Sequence, residues 1–384
     1  MDIGVIDVID WQTVVDMRDG EPAGSEHAGI DLASEVCASH PYPGDLTTEG
    51  TRWVTDVALD LNARYAPDYV FLDYAGLYLQ GVFRPQTPSE WGGRVRGVFA
   101  EVERFLEATD FAPVIVGLGD LMPFRGYIDT LDLACLVSAA GMNTRGAGLF
   151  GPSEADLAKV ADREGVSRVV SRGAFRAEFG GRDAFYEACP DAIAFAKPGY
   201  VFHGVNVGSR PLHQVPRPAD YLPLHSPFAG GDSLTDVPQL VLQGLEEEKV
   251  ALILVEGVGC ETFPLSFRRV SNSFGWYRYT LSPDQYLALT SGRHLVDYPY
   301  PPGYRYELHD DVDAPYPFSG IFEYLPEETI GRRFEGRSVA VGNRSILTHL
   351  AAGTDIAVEC FVRALYNHGV MATVRAEAPS AARC

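Results

Sequence analysis

Lysine is almost missing from this 384-residue sequence. Lys159, Lys197 and Lys249 are the only three among 31 bases, and the other 28 are Arg. Fifty-two Asp and Glu stand against those bases and leave a formal net charge of −21. A chain so acidic, without a basic tract, is repelled by a nucleic-acid duplex and by an anionic membrane surface, so neither is an expected partner. No run of 18 apolar residues occurs, which excludes a helix crossing a bilayer. The six cysteines, at 37, 135, 189, 260, 360 and 384, form no CxxC pair. The start Met1-Asp2-Ile3-Gly4 has no basic region of the kind that opens a signal peptide. Reduced thiols in a cytoplasmic protein are the resulting expectation. HExxH, His-x-His and the P-loop signature are all absent, so neither a zinc site built on such motifs nor a nucleoside triphosphate is indicated.

What is present describes a globular chain. Hydrophobic residues make up 46% and aromatics 11%, enough apolar surface to exclude a wholly disordered chain. At roughly 100–200 residues per domain the length suits two or three domains. The Arg bias has two readings: a GC-rich genome, or guanidinium forks that clamp a carboxylate or phosphate.

Short apolar runs at 3–9, 69–72, 114–116, 166–170, 250–255 and 338–341 read as strands. Between them, 53–65, 95–106 and 154–164 carry helical spacing, the last behind a Ser153 cap. Strands alternating with helices predict α/β units, and apolar runs that do not alternate with polar residues suit mostly parallel, helix-covered sheets. A Pro/Gly-rich stretch at 206–238 reads as a linker or surface excursion between an N-terminal α/β domain (1–205) and a C-terminal one (239–384). A second unusual stretch, 276–326, holds nine of the 19 Tyr and seven of the 26 Pro. It reads first as a well-packed loop, then as an intersubunit surface for a homo-oligomer, then as an aromatic lid.

Ligands of parallel α/β sheets sit beyond the carboxyl ends of the strands. Those ends carry acids here: Asp7 and Asp10, Asp73, Asp120 and Glu256. Asp7, Asp73 and Asp120 are candidate ligands of a divalent metal ion, and Glu256 is a candidate acid or base. Each has a plain alternative as a helix cap. Cys260, behind Gly257 and Gly259, is a candidate nucleophile with His203 as a possible base, a pattern faintly similar to caspase-like cysteine peptidases. A buried structural thiol is the competing reading. The fragments 68–76 and 114–120 resemble the strand-Asp segments of alkaline-phosphatase-type metallohydrolases. Leu77 and Leu121 stand where those enzymes carry metal-binding His, so that resemblance is not adopted.

The C-terminal region suggests an anion site. Asn343, Arg344 and Ser345 follow the strand 338–341 and precede helical residues 346–347, which puts free N–H groups and a guanidinium together. Residues 355–367 read as a largely buried helix whose polar positions, Asp355, Glu359, Arg363 and Asn367, form one stripe. Asp355 and Arg363 are therefore expected in the anion cavity, with Glu359 as a catalytic acid or base. His349, between turn and stripe, is a candidate acid or base as well, and so is His294. These readings converge on a cytoplasmic enzyme acting on a small anionic metabolite, most simply a hydrolase with metal or carboxylate assistance. The alternative is a non-catalytic binding or assembly subunit that docks through 276–326.

Overall fold

The computed structural model describes residues 2–7, 14–16, 46–139, 145–187, 189–203, 211–272, 283–297, 328–343, 353–362 and 369–375, with short pieces between 32 and 44. The apolar runs become strands of one ten-stranded sheet. In chain order they are β1 (Asp2–Asp7), β2 (Val14–Asp16), β3 (Tyr69–Tyr74), β4 (Ala112–Gly117) and β5 (Tyr221–His225), then β6 (Val250–Val255), β7 (Arg268–Ser271), β8 (Ser338–Gly342), β9 (Ile356–Val362) and β10 (Gly369–Arg375). Their spatial order is β7-β5-β4-β6-β3-β8-β9-β10-β1-β2. The five central strands, β4-β6-β3-β8-β9, run parallel, and every pairing outside them is antiparallel.

β3 and β6 are buried at every position, which is why their sequences do not alternate. Successive side chains still point to opposite faces. Val70, Leu72, Tyr74, Ile253, Val255, Val339 and Val341 share one core with Trp53, Val57 and Leu61 of α1 (Glu49–Tyr65). The same core takes Val98, Val102 and Phe105. Tyr69, Phe71, Leu252, Leu254 and Ala340 share the other core with Leu240 and Val241, and with Tyr286 and Leu289. Asp73 continues the alternation of Tyr69 and Phe71, so the fold directs it toward that second core.

Four further helices frame the site: α2 (Gly76–Phe83), α3 (Pro88–Glu107), α4 (Val237–Leu245) and α5 (Pro283–Ser291). α3 begins seven residues earlier than the apolar spacing predicts. Pro88 occupies the first turn, and Thr87 and Glu90 form a reciprocal capping box there. Ser153 caps the helix Glu154–Ala161 as its sequence indicates.

Three expectations change. The sheet draws β3 and β4 from before the 206–238 stretch and β6, β8 and β9 from after it, so it does not divide between 1–205 and 239–384. That stretch itself contributes β5, paired with β4 and β7. The run 166–170 belongs to a separate four-stranded sheet, antiparallel throughout, in which Val166–Ser171 and Gly146–Phe150 flank Ala192–Ala196. Residues 356–362 are strand β9, not helix. A spacing of four is a multiple of two as well as nearly a helical turn, so Asp355, Glu359 and Arg363 could not distinguish the two periods. The β-branched Ile356, Val358 and Val362 favour the extended form.

Candidate active site at the carboxyl edge of the parallel strands

Two carboxylates meet at one hydroxyl. Asp73 is the penultimate residue of β3, and Glu256 directly follows β6, its parallel neighbour. The Tyr286 hydroxyl on α5 bonds Asp73 Oδ2 at 3.1 Å and makes a short hydrogen bond to Glu256 Oε1. Both acids have no exposed surface, and Tyr286 is 4% exposed. A phenol has one proton and donates to one carboxylate at a time. Two buried acids sharing it suit the holding or passing of a proton, or the binding of a cation.

Backbone lacing holds the strand ends in place. The Glu256 N–H donates to Tyr74 O at 3.1 Å, and Ala75 N–H donates to Asn343 Oδ1 at 2.8 Å. Gly257 has φ +82°, and a Cβ there would lie 3.1 Å from Tyr78 Cα at the start of α2. The glycine permits both the left-handed turn and the close approach. From the residue before Tyr286, Gln285 Nε2 donates to Asn272 Oδ1 at 3.4 Å, and Asn272 Nδ2 donates to Ala219 O at 3.0 Å. These bonds tie α5 to the sheet edge.

The other expected site residues separate. Asp120 is buried, but its carboxylate accepts from Gly259 N–H at 2.9 Å, Glu261 N–H at 3.1 Å and Thr262 Oγ1–H at 2.6 Å. It fastens the 257–262 loop. Asp7 ends β1, four strands from β3, a lateral distance of about 19 Å at the usual strand spacing. The three aspartates therefore do not form one metal centre. Among the described residues no group of three His, Cys, Asp or Glu side chains is placed to hold a metal ion.

Asp355 also leaves the expected cavity. It accepts from Ser338 N–H at 2.9 Å and Ser338 Oγ–H at 2.8 Å, at the amino end of β8, and pairs with Arg332 at 3.4 Å. Asn343 lies beyond the opposite end of that strand. The cause is the strand conformation of β9, which carries Asp355 and Glu359 to different heights of the sheet. Glu359 is in register with Gly342, and Gly342 with Asp73. Arg344, Ser345, His349 and Arg363 lie outside the described residues, as does most of 276–326.

Cys260 is half-buried, with its thiol donating to Tyr221 O at 3.5 Å. Burial pushes that thiol above its ordinary range, which keeps it protonated at neutral pH and works against a nucleophilic role. His203 stands edge-on to Tyr127, ring centroids 5.3 Å apart, with its backbone N–H on Ile128 O. Burial lowers the His294 imidazole.

Tyr286 escaped the reading of the sequence. It sits in the Tyr/Pro stretch, where aromatic composition obscured the helix. Pro283 at the first helical position, followed by Leu287, Ala288 and Leu289, was the available signal. No protein-family model matches this chain, and no curated protein or solved structure does either.

Proposed function

We propose that this protein is an enzyme acting on a small anionic metabolite, most simply a hydrolase, with its reacting centre at Asp73, Tyr286 and Glu256. The observation that carries this reading is the convergence of two wholly buried carboxylates on one phenol. Burying like charges together opposes folding, and ion-rich sites of that kind concentrate where chemistry is done. Asp73 at the carboxyl end of β3 and Glu256 just past that of β6 border the usual ligand position of such sheets.

In this reading one carboxylate accepts a proton from an attacking water, and Tyr286 carries a proton between the two acids or toward the leaving group. Carboxylate assistance fits the described residues better than a three-aspartate metal centre. A divalent ion, if used, would find Asp73 and Glu256 as its protein ligands here.

The test pairs ligand response with turnover. Thermal shift with Mg²⁺, Mn²⁺ and Zn²⁺ is combined with p-nitrophenyl acetate and p-nitrophenyl phosphate as hydrolase probes. Turnover that is lost in Asp73→Asn and Glu256→Gln supports the reading. No turnover of either probe and no response to any of the ions opposes it.

A further inference from the structure

We propose that the start of α2, with Asn343 beside it, is an oxyanion subsite of this centre, a phosphate or carboxylate pocket; this rests on the catalytic reading above. α2 spans eight residues and begins one residue after β3, three residues beyond Asp73. Its N-cap is Ala75, which offers no side-chain acceptor, and its first turn contains no acid. The contrast with α3 is instructive, because there Thr87 and Glu90 occupy the helix start. The positive end of the α2 dipole thus faces no anionic side chain of its own first turn.

The second observation is independent. Asn343 has no exposed surface, and its Oδ1 accepts the Ala75 N–H at 2.8 Å. The Nδ2 of the same amide is buried and has no hydrogen-bond partner among the described residues. A role as a staple for Ala75 uses only the oxygen. The nitrogen, attached to the same carbon, keeps its donors next to the bonded Ala75 N–H, and on its other side Gly50 of α1 leaves room, where a Cβ would stand 3.7 Å away. Buried donors are nearly always satisfied, so one left over next to a helix whose N-cap residue makes no side-chain cap calls for an acceptor. An oxyanion fits, taking the Asn343 amide and first-turn N–H groups at once. In a chain of net charge −21, such a pocket lets an anion bind close to the acids that would act on it.

Inorganic phosphate is the probe, against chloride at equal ionic strength. Phosphate should raise the melting temperature of the full chain and slow amide hydrogen exchange across residues 74–80. Asn343→Asp keeps the oxygen that accepts from Ala75 but replaces the donor with a negative oxygen. It should weaken phosphate binding by roughly ten- to a hundredfold, whereas Glu256→Gln should bind phosphate equally or more tightly. No phosphate response, equal binding by Asn343→Asp, or protection confined to residues outside 74–80 overturns the subsite. Should Asn343→Asp fail to fold, the exchange experiment on the unaltered chain decides. Phosphate binding that survives while the hydrolase probes give no turnover would sink the catalytic reading and leave the subsite standing.

Discussion

Asp73 and Glu256 stand at the ends of adjacent parallel strands, and both hydrogen-bond the single hydroxyl of Tyr286. Neither acid has exposed surface, so the phenol is part of what makes their burial tolerable. Removing it in Tyr286→Phe should destabilise the fold by about 1.5–3 kcal/mol, the worth of a hydrogen bond to a charged group. A double-mutant cycle with Glu256→Gln, read by urea denaturation, should give a coupling of at least about 0.5 kcal/mol. Additive effects would mean that the phenol and the carboxylate act separately.

Asp120 predicts the opposite behaviour from a metal ligand. Its carboxylate takes three donors from the 257–262 loop, so Asp120→Asn should lower stability by about 1–3 kcal/mol. The loss should be the same with or without added Mg²⁺ or Mn²⁺ in denaturation curves. A variant that keeps its stability but loses a metal-dependent shift would return Asp120 to a metal site.

Cys260 should be a slow nucleophile. Burial raises its thiol, so little thiolate exists at neutral pH. Alkylation by iodoacetamide, followed by peptide mass spectrometry, should run slower at pH 7.5 than with free cysteine and accelerate above the ordinary thiol range. Cys260→Ala should leave probe turnover unchanged. Fast labelling at pH 7.5 with loss of turnover would restore the nucleophile reading.

His294 gives a pH dependence with a definite sign. Burial lowers its imidazole below the ordinary value of about 6.5, against an opposing pull from Asp297. On acidification the unfolded chain takes up this proton first, so the stability present above about pH 6.5 is lost as pH falls through the folded value. His294→Gln should lose less stability than the unaltered protein between pH 7.5 and 5.5 in chemical denaturation. An identical loss in both proteins would contradict the assignment.

Much of the sheet was legible because its central strands are short runs of Val, Ile and Leu between turn residues. Val250–Val255 and Tyr69–Tyr74 could hardly read otherwise. Asp73 and Glu256 were legible for the same reason, as acids at the ends of such runs. Their partnership was not, since the residue that joins them lies on a helix within a stretch dominated by Tyr and Pro. β9 was misread because a polar residue every fourth position satisfies both helix and strand periods. The parallel arrangement of β6 and β3 depends on pairing across 180 residues of chain, which no local pattern encodes.

The central claim is that Asp73, Tyr286 and Glu256 form a working site and not a structural knot. The most direct measurement is Glu256→Gln, read at once by turnover of the hydrolase probes and by melting temperature. The account predicts that turnover falls at least about a hundredfold, the low end for loss of an acid or base, while the melting temperature holds or rises because a neutral amide of the same size is easier to bury than an acid. Unchanged turnover with a lowered melting temperature would contradict it, and the carboxylate would then be a structural acid held by Tyr286.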